Sequence, residues 1–340
     1  MLQGHGDDIY RYGDVRINFS SNIYNHADLS GLKAFLRTRL DVIGQYPEPE
    51  PYTLEAAIAC KHGVPKECVL VTNGATEAIY LIAQMLAVEG YNHYHIPQPT
   101  FNEYEDACRM FGMTESPDGI LWLCNPNNPT GKVFPYTPAA FSPSSSPLTI
   151  LDQSYEDFTL QPMMTAKEAV KRGDIIQIHS LTKTCAVPGL RLGYVVSAPS
   201  VIERLRRLLR PWSVNALAIE AGHWLIEHDF KAIKNMEAYL AETQRLRRSL
   251  NAIPGISVAP TDTCFMLAEL VNFQGSPIST VFPTAFELKD YLIKKHRILI
   301  RDASNFRGLT PRHFRVSTQL PEENDELVQA LCDITATARR

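Results

Sequence analysis

Residues 179–194 read HSLTKTCAVPGLRLGY, and within them Lys183 stands between small hydroxylic residues with Arg191 eight positions downstream. Leu181, Ala186, Val187, Leu190 and Leu192 flank the lysine, so the segment reads as buried. A buried ammonium is costly unless something binds or neutralises it, which makes Lys183 a candidate for covalent chemistry. The adjoining runs DIIQIHS (174–180) and LRLGYVVS (190–197) are short and apolar with polar ends, the pattern of buried strands.

Working outward, the same pattern recurs at CVLVTNG (68–74), GILWLCNP (119–126) and LTILDQSY (148–155), and ATEAIYLIAQMLAVEG (75–90) is helical. This alternation predicts an α/β layer with a mostly parallel sheet. In such a sheet the ligand crevice lies beyond the carboxyl ends of the strands, where Asn73, Asn128, Asp152 and Lys183 fall. Residues 216–251 read as one strongly helical stretch without proline that bridges two domains. Beyond Pro254, ISVAP, CFMLAEL, RILIRDA and HFRVS alternate with helical stretches at 285–296 and 322–337, a smaller α+β domain. The expected division is an arm with part of the small domain over 1–30, a large domain over 31–235 and a small domain over 236–340. Residues 135–147, PYTPAAFSPSSSP, form a Pro/Ser-rich connection.

The totals narrow the chemistry. With 340 residues, 45% hydrophobic and 21% charged, the chain suits one large core or two unequal domains. A formal net charge of −4 gives no general attraction to nucleic acid or to an anionic membrane, which leaves small-molecule chemistry. The opening MLQGHGDDIYRYGD has no apolar signal core, and no run approaches the roughly 20 apolar residues of a membrane span, so a cytoplasmic protein is expected. Seven scattered cysteines, never spaced CxxC, suggest neither a zinc site nor a disulfide framework.

Several segments carry chemistry. TNGATEA (72–78) passes from a strand into a helix, so its backbone N–H groups and Thr76 can bind an anion, although such a turn also serves as plain punctuation. NPNNPTG (125–131) holds Asn128 in a tight loop, able to donate to a phenolate-like oxygen. Asp152 ends a strand with Tyr155 close behind, a carboxylate and a phenol over one crevice or a simple turn cap. Arg191 can form a structural ion pair, and Ser180 and Thr182 can cap a loop. Together they are complementary in the order a single cofactor needs.

As a set, NPNNPTG, LDQSY, SLTK and GLRLGY resemble the fold-type I pyridoxal 5′-phosphate (PLP) enzymes of the aminotransferase class I/II superfamily, over nearly the whole chain. The resemblance implies a three-layer αβα large domain plus the small domain. It implies that Lys183 binds PLP covalently and that Asp152 pairs with the pyridine nitrogen. Asn128 and Tyr155 would hold the phenolate oxygen. Gly74, Ala75, Thr76, Ser180, Thr182 and Arg191 would hold the phosphate, and Phe101 of QPTFNEY would stack on the ring. Tyr46 of QYPEPEPYTL resembles a tyrosine that reaches a neighbouring subunit's cofactor phosphate, which implies a homodimer.

Two branches share these motifs, histidinol-phosphate aminotransferase and the L-threonine-O-3-phosphate decarboxylase of cobalamin biosynthesis. HGDDI (5–9), INFSSNIYN (17–25), RPWSVNALA (210–218) and RILIRDASNFRGL (297–309) look like the decarboxylase. By that likeness Arg315 would clamp the substrate carboxylate, with Asn22 close to it, while Arg301 and His5 would bind the substrate phosphate. A catalytically silent PLP-fold protein is the alternative from another class, and the retained Lys183, Asp152 and Arg191 favour the enzyme. One departure is plain. The stretch from Phe101 to Asn128 is roughly twenty residues shorter than the family pattern, enough to lose a crossover helix. The connection from Asn128 to Asp152 is short as well, so the outer face of the large domain should be thin.

Overall fold

The computed structural model describes residues 8–135, 148–271, 278 and 281–337. In chain order, β1 (Ile17–Asn18) leads to α1 (Ser30–Arg37), α2 (Tyr52–His62), β2 (Val69–Thr72), α3 (Gly74–Val88), β3 (His93–His95) and α4 (Glu103–Met110). Then come β4 (Thr114–Glu115), β5 (Ile120–Cys124), β6 (Thr149–Asp152), α5 (Ala166–Arg172), β7 (Ile175–Ser180) and α6 (Leu181–Thr184). β8 (Gly193–Val196), α7 (Pro199–Arg206), α8 (Ala216–Glu227) and α9 (Met236–Asn251) follow. The C-terminal part holds β9 (Ile256–Val258), β10 (Phe265–Leu270), α10 (Ala285–His296), β11 (Ile298–Leu299), β12 (Arg301–Asp302), β13 (His313–Ser317) and α11 (Pro321–Thr337).

The apolar runs form a seven-stranded sheet in the order β2-β8-β7-β6-β5-β3-β4. It is parallel except for β8, which runs antiparallel to both neighbours. β2, β6, β7 and β8 are buried at every position, because helices cover both faces. One face packs on α3, α4 and α7 through residues such as Ile79, Ile82, Tyr104 and Leu205; the other packs on α2 and α8 through Leu54, Ile58 and Ala218. A second core lies in the C-terminal part, where the antiparallel sheet β12-β13-β10-β9 packs on α9, α10 and α11. The N-terminal segment joins it, since β1 pairs in parallel with β11 and the N–H of Ser317 donates to Phe19 O. Among the described residues no helix is long and apolar enough to cross a membrane.

Two sequence expectations meet the structure here. The single helix expected over 216–251 is broken: α8 ends at Glu227, Asp229 takes a left-handed φ of 43°, and the Asn235 side chain starts α9 by accepting from Ala238 N–H. Asn at a helix start outweighs the favourable composition around it. The shortened stretch does lack a helix between β4 and β5. Residues 116–119 alone carry the chain from one side of β3 to the other, with Tyr94 paired to Glu115 on one flank and to Ile120 on the other. The hop passes so close to β3 that a Cβ on Gly119 would lie 2.4 Å from the Tyr94 carbonyl carbon. The helix that remains in this region, α4, precedes β4. The Pro/Ser-rich connection lies, from Tyr136 to Pro147, outside the described residues.

Candidate active site

The carboxyl ends of β5, β6 and β7 and the start of α3 open onto a cavity of about 390 Å³. Of the residues singled out from the sequence, Asn22, Ala75, Thr76, Phe101, Asn128, Asp152, Tyr155, Ser180, Thr182, Lys183, Arg191 and Arg315 line it. Gly74 stands directly behind, at φ 79°, where a Cβ would meet Arg191 Nη2 at 2.7 Å. Asn73, grouped with the strand ends from sequence, is not part of the wall.

Lys183 is half-buried on the cavity wall, a correction to the fully buried ammonium expected from its flanks; Leu181, Ala186, Val187 and Leu192 take the burial instead. Its Nζ lies 6.0 Å from the centre of the Tyr155 ring. The four-residue α6 that carries it is held from behind by the broken helix region. Ala232 N–H donates to Thr184 O at 2.9 Å, the Cys185 thiol donates to Phe230 O at 3.3 Å, and Thr184 Oγ1 donates to Asp157, itself paired with Lys231. The break between α8 and α9 therefore anchors the lysine.

Asp152 is 4% exposed at the end of β6. Burial pushes its carboxyl upward, and hydrogen bonds from Ser154 and Tyr104 pull it partly back. The loop 125–131 is locked by Asn127, which donates to Pro99 O and Thr130 Oγ1 and accepts from Thr100 Oγ1. This ties the loop to the segment bearing Phe101. Asn128 Oδ1 accepts from Arg315 Nη1, leaving its NH₂ to donate elsewhere. Burial raises the Tyr155 phenol above its usual value, with Arg315 opposing.

Arg315 is buried on β13; it also donates to Ser20 O at 2.6 Å, and among the described residues no carboxylate pairs with it. Burial lowers its proton affinity, Tyr155 opposes, and Arg301 lowers it further. Arg301 faces Arg315 in the β12–β13 register but does not line the cavity; it donates to Asn305 Oδ1 at 2.7 Å. Tyr46 is also away from the wall, 87% exposed, with its ring 5.6 Å from Trp212. His5 lies outside the described residues. Reading the sequence missed Tyr104, Ser154 and Cys124, which also line the cavity; only the spacing of Tyr104 to Phe101 in QPTFNEY offered a signal.

The sequence profile of the family described as Aminotransferase class I and II matches residues 15–117 and 113–331. The chain belongs to this family. Its cofactor is PLP. The chain is 32% identical to a putative threonine-phosphate decarboxylase of Caldanaerobacter subterraneus subsp. tengcongensis, covering 96% of this chain and 92% of that protein. It is 30% identical to a histidinol-phosphate aminotransferase of Desulfitobacterium hafniense, over 85% and 84%. The crystal structure of L-threonine-O-3-phosphate decarboxylase from Porphyromonas gingivalis superposes with a TM-score of 0.84 at 34% identity, over 94% and 99%.

The cavity fits the family cofactor. Thr182 Oγ1 is buried with no hydrogen-bond partner beside the start of α3, where first-turn N–H groups lack intrahelical acceptors. Gly74 and Gly193 keep the backbone bare, the latter because a Cβ would come within 2.6 Å of Ala75 N. Asn22 faces Tyr155, yet neither of its polar atoms makes a hydrogen bond of normal geometry. These are the donors a phosphate and a substrate anion need.

Proposed function

We propose that the chain decarboxylates a phosphorylated amino acid of the L-threonine O-3-phosphate kind, releasing carbon dioxide and an aminopropanol phosphate. The supporting observation is the pair Arg315 and Arg301, opposite one another on β13 and β12, with no carboxylate on Arg315 among the described residues. Two buried guanidiniums repel, and an anion with two charged ends relieves them. A phosphorylated amino acid carries a carboxylate and a phosphate on one short frame, whereas a phosphorylated amino alcohol of the histidinol kind carries the phosphate alone. The similarity to the threonine-phosphate decarboxylases supports the same reading.

When bound, PLP supplies an electron sink for the α-carbon bond held perpendicular to its ring. Gly74, Ala75, Thr76, Ser180, Thr182 and Arg191 would hold its phosphate, Asn128 and Tyr155 its phenolate oxygen, and Phe101 its ring face. The Asp152 carboxylate would keep a proton on the ring nitrogen. Arg315, with Asn22 beside it, would fix the substrate carboxylate by two parallel hydrogen bonds, and Arg301 and His5 would take the phosphate. Gripping the substrate at both ends, these residues would present its α-carboxylate bond rather than its α-hydrogen to the cofactor. Lys183 Nζ would return a proton to the α-carbon after carbon dioxide leaves.

This reading takes residues 31–235 as the cofactor domain and 236–340, with the arm 1–30, as the domain that closes on substrate. The separate core around β10 and β13 supports it. It also takes the enzyme as a cytoplasmic homodimer, the dimer being supported by the exposed Tyr46, Ile43, Tyr52 and Trp212. Sedimentation of Tyr46→Ala tests whether that surface joins subunits. The test of the activity mixes holoenzyme with L-threonine O-3-phosphate and follows carbon dioxide together with the cofactor spectrum. Carbon dioxide release with the cofactor kept as the aldehyde is expected. Conversion of the cofactor to its amine without carbon dioxide would select the aminotransferase reading, and neither signal would select a silent PLP-fold protein.

A further inference from the structure

Tyr104 lies in the first turn of α4 and is 1% exposed. Its ring meets Phe101 edge-on at 5.7 Å and Trp122 at 5.8 Å, so packing sets the direction of its hydroxyl. That hydroxyl donates to Asp152 Oδ2 at 2.7 Å, while the N–H of Ser154 donates to Oδ1 at 2.8 Å. Cys124, also close, turns its thiol to Pro126 O at 3.2 Å. Tyr104 is therefore the side-chain donor to Oδ2, while Ser154 serves Asp152 through both its backbone N–H and its side chain.

We propose that Tyr104 is a positioning residue that, with the Ser154 N–H, holds Asp152 as an ionised, acceptor-only carboxylate turned to receive the cofactor's ring N–H. A backbone N–H can only donate, so Oδ1 can carry no proton toward Ser154. The phenol keeps its own proton, because burial and the adjacent Asp152 push it well above its usual value. Both fixed partners are donors, and protonation of either oxygen would exchange the charged acceptor they share for a weaker neutral one. Each carboxylate oxygen still has a lone pair for a donor from the cavity. Tyr104 thus offsets part of the burial penalty that otherwise favours neutral Asp152.

This inference rests on the assignment of Asp152 to the ring nitrogen, so the test has an arm that does not need the cofactor. In cofactor-free protein, carbon-13 NMR follows the Asp152 carboxyl with pH in wild type and in Tyr104→Phe, which keeps the ring and loses only the hydroxyl. The midpoint should move to higher pH in the variant. A 3-fluorotyrosine placed at position 104, a stronger donor of the same shape, should move it to lower pH. In the cofactor arm, Tyr104→Phe should bind PLP about tenfold more weakly, the change in affinity that accompanies one pH unit in a coupled proton. Equal midpoints in all three proteins would overturn the proposal. A shifted midpoint with unchanged PLP affinity would overturn its cofactor half. Wild-type protein that takes up no PLP would overturn the assignment beneath it, whatever the titration shows.

Discussion

The two ends of the cavity are built differently. The cofactor end is assembled from strand ends of one parallel sheet, so Asn128, Asp152 and Lys183 each arrive by a short local segment whose strand, turn and polar residue are contiguous. The substrate end is assembled from pieces far apart in sequence: Ser21 and Asn22 after β1, and Arg315 on β13, joined by the β1–β11 pairing, by the Ser317 N–H bond to Phe19 O and by the Arg315 hydrogen bond to Ser20 O. Chemistry placed by local turns is written in motifs. Chemistry placed by register between distant strands is not, and it is where relatives with one cofactor can differ in substrate.

The sharpest break between the two ends should come at Lys183. Lys183→Ala should lower turnover by about 10³-fold or more, a large general-acid contribution, and abolish the aldehyde-linked absorbance. An absorbance equal to wild type that survives borohydride alike in both proteins would remove the lysine from the site. Behind the same end, His62 is half-buried beside Tyr194, its Nε2 2.8 Å from the phenol oxygen. Burial pushes its imidazole down to about 4, with His179 adding to the shift and Glu156 opposing it. The unfolded chain therefore binds an extra proton between pH 6.5 and 4. Stability from this group is whole above pH 6.5 and falls by about 3 kcal/mol as pH drops toward 4, as read by urea unfolding. His62→Gln should flatten that slope.

At the substrate end the effects should appear in KM rather than in cofactor binding. Arg315→Lys keeps the charge and loses the fork, and a KM raised about 10- to 100-fold with an unchanged cofactor spectrum is expected. A spectrum that changes while KM does not would place Arg315 at the wrong end. The smallest effect should be at Arg307, whose two terminal nitrogens meet both oxygens of Glu115 at 2.5 and 2.6 Å across to the large sheet, while Asn102 donates to Asn305 O beside it. Arg307→Gln should raise KM about two- to fivefold, less at high salt, as partly exposed ion pairs do. Pairing Arg307→Glu with Glu115→Arg should restore the wild-type KM if the loop bearing Asn305 is held this way.

The same contrast explains what could be read in advance. The strands around NPNNPTG, LDQSY and SLTK were legible because each apolar run ends in its functional residue. The break over 228–235 was not, because composition favours helix there and only Asn235 marks the restart. Tyr104 was hidden for another reason: its partner is 48 residues away, and nothing local distinguishes a tyrosine that donates to a carboxylate from one that fills the core. Arg301 is a ligand by resemblance to the decarboxylase, and the antiparallel register does set it opposite Arg315 on the same sheet face, although it does not itself line the cavity.

The four-residue hop from β4 to β5 bears on the order in which the sheet assembles. Parallel neighbours ordinarily wait for a crossover of a dozen residues or more to close, and closing entropy grows with loop length. Here β3, β4 and β5 fall within residues 93–124, so this corner brings its strands together over short separations. β2 finds β8 only across more than a hundred residues. The corner should therefore acquire protection first in pulse-labelled hydrogen exchange, with Tyr94 and Ser116 protected before Val71 and Tyr194. The loss of a helix then gives the large sheet an early foothold at one edge, from which growth runs toward the strands that carry Asp152 and Lys183.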